Sequence, residues 1–182
     1  MSPVKSADDV LAFWRAAGPK KWFKKDAAFD TEIATRFLPT YVAAAANQLD
    51  DWEARADGAL ALIIVLDQFP RNMFRESARA FAADTLARAV ADRAIARGFD
   101  QEIEKAERNF FYLPFEHSEE LADQERCIAL TRALGDADAL KWAELHADII
   151  RRFGRFPHRN LALKRTTTAV EQVFLDGGGF AG

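Results

Sequence analysis

Apolar side chains recur along this chain three and four residues apart, the spacing of one helical face, and nowhere alternate as a half-buried strand requires. Ser6, with Asp9 three residues on, makes a capping box for a first helix carrying Val10, Leu11, Phe13 and Trp14. Gly18 and Pro19 stop it. A short aromatic connector, Lys21-Trp22-Phe23-Lys24-Lys25, follows. Phe29, Ile33, Phe37 and Tyr41 then share one face of a second helix, which starts near Asp26 or Asp30 and runs towards Leu49. Pro39 interrupts that face and predicts a kink or a split, because proline removes a backbone donor and crowds the preceding turn.

A third helix, residues 59 to about 69, is apolar all round, as a central and fully surrounded helix is, and Pro70 is expected to end it. A fourth, about 78–97, stops at Gly98. The aromatic stretch 109–115 is expected to break at Pro114, and a fifth helix runs from there to about Leu134. Gly135-Asp136 is a turn. A sixth helix, about 137–153, ends at Gly154 and Pro157, and Thr168 with Glu171 caps a last short helix before Gly177, Gly178 and Gly179. The expected fold class is all-α, about seven helices in helical hairpins, within a single domain over residues 1–182.

Composition agrees with a packed core: 49% of the residues are apolar, and 15 Phe and four Trp make that core aromatic. A net charge of −3 argues against a nucleic-acid partner, which calls for a basic excess on one face. One cysteine, Cys127, excludes an internal disulfide and predicts a reducing, cytoplasmic setting. Its neighbours Ile128 and Leu130 point to a buried, inert thiol. The start carries Asp8 and Asp9 and no apolar signal segment. The longest apolar run, residues 59–66, falls far short of the roughly 20 residues that span a bilayer, so no membrane partner is expected.

One motif echoes. Gln68-Phe69-Pro70-Arg71-Asn72 follows the third helix, and Arg155-Phe156-Pro157-His158-Arg159-Asn160 follows the sixth. In each, Pro is expected to end a helix, Phe to plug the core, Asn to take a left-handed turn, and Arg to sit past a helix C-terminus where positive charge is favoured. No full tetratricopeptide consensus is present.

Three segments carry the polar chemistry. Their candidate ligand-binding residues are Arg71, Asn72, Arg75, His117, Asp123, His146, Arg155, His158, Arg159 and Asn160. Guanidinium groups bind carboxylate or phosphate through a bidentate fork, and histidine moves protons near neutral pH. Arg71, Arg75, Arg155 and Arg159 around a pocket, with His117 and His158 as candidate proton carriers, would suit a small anionic ligand. The alternative is an internal ion-pair network in which Asp67, Glu119, Asp123 and Asp148 pair with the same arginines. Helical spacing turns His146 inward with Ile149, Ile150 and Phe153, and pairs Asp148 with Arg152. No metal-binding spacing is present, and no cofactor is expected: His146-x-Asp148 faces apart on a helix, and neither H-E-x-x-H nor paired cysteines occur. Ser118 lies outside any nucleophile elbow and reads as a helix-start residue.

The segments V-L-A-F-W at 10–14, G-A-L-A-L-I-I-V-L-D-Q-F-P-R-N at 58–72, F-Y-L-P-F-E-H-S-E at 111–119 and F-G-R-F-P-H-R-N at 153–160 resemble the bacterial family catalogued as domain of unknown function 924. The resemblance runs from about Val10 to Gly178 and implies an array of helices of the tetratricopeptide-like superfamily. It implies no activity. The chain departs from the family pattern at Phe37-Leu38-Pro39 and at Glu76-Ser77, away from the Arg, His and Asn positions. Three functions stay open: a small-anion pocket; a tetratricopeptide-like protein-interaction module, with a protein partner or a homodimer; and a metal-dependent hydrolase using the three histidines. Whether the chain is an enzyme is left undecided.

Overall fold

The computed structural model describes residues 3–180, and every regular element among them is helical. Contacts gather into two compact units. One takes in the chain to Arg75 and then Arg79–Pro114; the other takes in Glu76–Ala78 and the chain from Phe115. Among the described residues no helix is long and apolar enough to cross a membrane.

In the first unit, α1 (Ala7–Ala17) begins with the expected capping box of Ser6 and Asp9. The aromatic connector is in part a single turn, α2 (Pro19–Trp22), and Trp22 Nε1 donates to the Trp14 carbonyl at 2.7 Å. Helix α3 (Ala27–Ala45) starts on Asp26, whose side chain accepts from the Ala28 and Phe29 amides. It runs through Pro39 unbroken. Phe29, Ile33 and Phe37 are buried before the proline and Tyr41 after it, so core contacts on both sides outweigh one missing backbone bond.

The central stretch departs from a single helix ended by proline. Helix α4 (Ala56–Ile63) passes into a π-helical turn, Ile64–Gln68, and then into α5 (Phe69–Met73). Pro70 starts α5 rather than ending a helix, because in a first turn its missing N–H is not needed. All of α4 except Asp57 is buried, as its all-round apolarity requires. At Gly58 a Cβ would lie 2.1 Å from the Trp52 carbonyl oxygen, so only glycine fits. Phe37 and Phe69 meet with centroids 4.9 Å apart, and Trp14 stacks on Trp22 at 5.9 Å.

The expected fourth helix is split into a 3-10 turn, Ala78–Phe81, and α6 (Asp84–Ala96). Gly98, left-handed at φ 77°, then opens the single turn α7 (Phe99–Glu102). Helix α8 (Lys105–Glu116) carries Pro114 inside it, so the expected break does not occur: Phe110, Phe111, Tyr112, Leu113 and Phe115 are all buried, and that burial holds the helix together. Short turns such as α2, α5 and α7 take the structure past the seven helices that periodicity resolves.

In the second unit, α9 (Leu121–Leu134) and α10 (Ala137–Phe153) form a helical hairpin. Gly135 is left-handed at φ 69°, and the Asp136 side chain caps α10. Gly154, at φ 67°, ends α10. A 3-10 turn, Pro157–Arg159, leads on to α11 (Ala169–Asp176), which begins with the Thr168–Glu171 capping box. Ile149, Ile150 and Phe156 form the core of this unit, with Phe153, Phe174 and Phe180 packed against it.

Candidate functional site

The Phe-Pro echo becomes a common pattern of contacts, one instance in each unit. Phe69 and Phe156 are fully buried, as expected of plugs. The asparagines do not take the left-handed conformation: Asn72 lies in α5, and Asn160 has φ −57° and ψ −45°. Each is held by its side-chain amide instead. In the first unit, Asn72 Nδ2 donates to Asp30 at 2.8 Å, and Arg75 Nε and Nη2 donate to the same carboxylate at 2.5 and 2.9 Å. In the second, Asn160 Nδ2 donates to Glu171 at 3.3 Å, and Arg155 Nε and Nη2 grip that carboxylate at 2.5 and 2.7 Å. An acid from a separate helix therefore clamps the Asn of each motif together with a nearby Arg, which is Arg75, three residues after the first motif, and Arg155, at the head of the second.

Arg71, Asn72 and Arg75 lie in the first unit; His117, Asp123, His146, Arg155, His158, Arg159 and Asn160 lie in the second. Arg71 makes a bidentate pair with Asp84, both bonds at 2.9 Å, and lies 3.3 Å from the Asp67 carboxylate. Asp67 is wholly buried and also accepts from Gln68 Nε2 at 2.6 Å. The π-helical turn brings Asp67 into this pair. Such turns break the regular ladder and concentrate at sites where side chains must be re-aimed.

Around the second motif the geometry is denser. Arg159 is 6% exposed; its Nη1 donates to the His117 carbonyl at 3.0 Å, and its guanidinium lies 4.4 Å from the Phe156 ring centroid. His158 and His146 both pack on Phe156, at 5.6 and 5.5 Å between centroids. His146 is buried, as the helical stripe predicts. Its Nδ1 lies 2.8 Å from the Trp142 carbonyl oxygen and 3.4 Å from Glu116 Oε1. Glu116 in turn accepts from Cys127 Sγ at 3.9 Å. Cys127 is fully buried; burial first, and then the Glu116 charge, push its thiol up to about 12. Ser118 accepts from the Glu120 amide and donates to Asp123 at 2.6 Å, a role at the start of α9. Gln124, wholly buried, donates to the carbonyls of Phe115, Glu116 and Ser118.

Spacing alone passes over several of these partners. Asp30, Asp84 and Arg165 carry no motif, Glu116 stands in one only through the family resemblance, and Glu171 reads only as a cap. Glu119 accepts from Arg165 at 2.7 and 3.0 Å and from the Phe156 amide at 2.8 Å. Burial drives its carboxyl up, but these bonds and the Arg165 and Arg159 charges hold it below the ordinary carboxylate range. Asp148 pairs with Arg152 at 3.3 Å as the helix spacing predicts, on the surface. Among the described residues no three His, Cys, Asp or Glu side chains gather in a way that could hold a metal ion.

The chain matches the family described as bacterial protein of unknown function DUF924 over residues 10–179. It belongs to the DUF924 family. A solved structure similar to this DUF924 chain is that of a protein of unknown function, ATU0120 from Agrobacterium tumefaciens. The two share 50% identity over 94% of this chain and 97% of that one, with a TM-score of 0.92. No curated protein matches the chain.

Proposed function

We propose that the second unit of this DUF924 chain binds a small carboxylate- or phosphate-bearing ligand at Arg159. One observation carries the reading: the Arg159 guanidinium is buried in the second unit, with Nη1 on the His117 carbonyl, its centre 4.4 Å from the Phe156 ring centroid and the Glu119 charge acting on it. A planar cation held in this way keeps its charge in a low-dielectric setting, where a bidentate anion is bound more strongly than in water. His158, adjacent in sequence and packed on the same ring, adds an imidazole to that wall. Arg71, Arg75 and Arg155 hold Asp84, Asp30 and Glu171 with their forks, which suits them to fixing the Phe-Pro motifs. The proposal is one of binding. We further assign the helices to a tetratricopeptide-like arrangement, which the α9–α10 hairpin supports, and the lone buried cysteine supports a cytoplasmic setting.

Titration calorimetry with inorganic phosphate and with acetate tests this on the wild type, Arg159→Gln and the surface variant Arg152→Gln. Binding of one anion by the wild type and by Arg152→Gln, lost in folded Arg159→Gln, is expected. No binding of either anion, or binding that Arg159→Gln leaves unchanged, would refute it.

A second reading, a protein-interaction module, is favoured by apolar side chains on the surface of the same unit: Leu161, Val170 and Val173 are 89%, 69% and 73% exposed. A monodisperse monomer that keeps its mass after Val170→Asp and Val173→Asp argues against self-association through this face.

A further inference from the structure

The outer face of α3 lacks the chemistry of a helix that faces water. Ala28, Thr31, Thr35, Leu38, Val42 and Ala45 are all exposed, and they follow one another at alternate spacings of three and four residues along the helix. That spacing is the 3.5-residue repeat of a seam between two helices, and here it runs for about 26 Å. None of the six is charged. The Thr31 and Thr35 hydroxyls donate to the Ala27 and Thr31 carbonyls, each at 2.8 Å, so both side chains commit their donors to the helix itself. Leu38 and Val42, at the centre and beyond it, are 37% and 55% exposed. By contrast, α10 carries Asp138, Lys141, Glu144 and Asp148 among its exposed positions, the ordinary pattern of a water-facing helix.

The nearest charges on α3 stand beside this stripe and are already engaged. Glu32 pairs with Arg36 at 2.9 Å, and Asp30 holds Asn72 and Arg75. A partner face bearing charges would lose their hydration against Leu38 and Val42 and receive no counter-charge, so the stripe fits an uncharged face with the same repeat. A second copy of the chain supplies one. Read from either end, the stripe has alanine first (Ala28, Ala45), then a β-branched side chain of one shape (Thr31, Val42), then Thr35 and Leu38 at the middle. A two-fold axis across that middle therefore matches the stripe to itself, with the two helix dipoles opposed.

We propose that α3 is a self-association surface, on which two copies of this chain pair α3 with α3 in antiparallel orientation and Thr35 of each copy meets Leu38 of the other. One helix pair buries less than the roughly 1,200 Å² of a standard interface, so the dimer is weak and forms at concentrations on the order of tens of micromolar.

The test is sedimentation velocity on the whole chain over a dilution series spanning about a thousandfold, with Leu38→Glu, Val42→Lys and, on an exposed position of α10, Lys141→Glu. Far-ultraviolet circular dichroism and the urea midpoint at the dilute end report that each variant is folded. The wild type and Lys141→Glu are expected to pass from one chain towards two as concentration rises, whereas Leu38→Glu and Val42→Lys stay single throughout; either serves if the other does not fold. A wild type that stays single at the highest concentration overturns the proposal. So does a dimer that persists in folded Leu38→Glu and Val42→Lys, or one that Lys141→Glu also abolishes. Orientation is read by oxidative cross-linking at the concentrated end, where the buried Cys127 does not compete. An equal mixture of Thr35→Cys and Leu38→Cys is expected to give several times more covalent dimer than either variant alone. Cross-linking of each variant alone as strong as that of the mixture would mean a parallel seam and overturns the antiparallel pairing.

Discussion

Arg155 holds the Glu171 carboxylate through Nε and Nη2, at 2.5 and 2.7 Å. The same carboxylate accepts from Asn160 and from the Thr168 amide, so one acid ties the Phe-Pro motif, the turn after it and the start of α11 together. Asp30 does the corresponding work in the first unit, where it accepts from Asn72 and Arg75. The repeated element in this chain is therefore an acid-clamped Asn-and-Arg pair.

Glu171 makes the fold of the second unit sensitive to acid. The Arg155 bond, opposed by burial and helped by Thr168, lowers its carboxyl from 4.5 to about 2. A depressed folded value gives stabilisation that is complete above the unfolded value and fades as pH falls towards the folded one. The difference in urea midpoint between wild type and Glu171→Gln should accordingly be constant above about pH 6 and shrink between 4.5 and about 2. A gap that stays constant through that window would mean that the carboxylate is not held in this way.

Arg71 and Arg75 should differ sharply when removed. Arg71→Met leaves the wholly buried Asp67 without its charge partner, and a broken buried pair costs about 3–5 kcal/mol. Arg75, whose side chain is 33% exposed beside Asp30, should cost only about 1 kcal/mol when changed to Met. Chemical denaturation of the two variants under one condition reads the difference directly. Similar losses for both would contradict the burial argument.

Cys127 should be silent towards alkylating reagents in the native protein. With its thiol raised from 9.0 to about 12, the thiolate fraction drops on the order of a thousandfold, and full burial blocks access besides. Iodoacetamide labelling at mildly alkaline pH should proceed only through unfolding and reach the rate of an ordinary thiol in concentrated urea. Rapid labelling without denaturant would show that the Glu116–Cys127 contact opens in the folded state.

Helix type, the capping boxes at Ser6 and Thr168, the α10 bounds and the inward face of His146 are legible in the order of residues, because each follows from contacts within about four positions along the chain. So is membership in the family, carried by long motifs around Phe69, Glu116 and Phe156. Pro39 and Pro114 show where local rules stop: each disfavours a helix by itself, and each sits inside one because the aromatic side chains around it are buried. Local propensity cannot weigh that term, since the burial depends on elements far away in sequence. The partners of the arginines had the same character. Asp30, Asp84 and Arg165 carry no signature of these pairings, Glu171 carries only that of a cap, and a carboxylate becomes a clamp only when folding brings a distant guanidinium within hydrogen-bond reach. The sequence by itself determined which residues are apolar, which turns must close and which side chains could carry charge. Tertiary structure alone decided which charges are spent on one another, and set Arg159 and the histidines on Phe156, because that allocation depends on distances that close only when the helices pack.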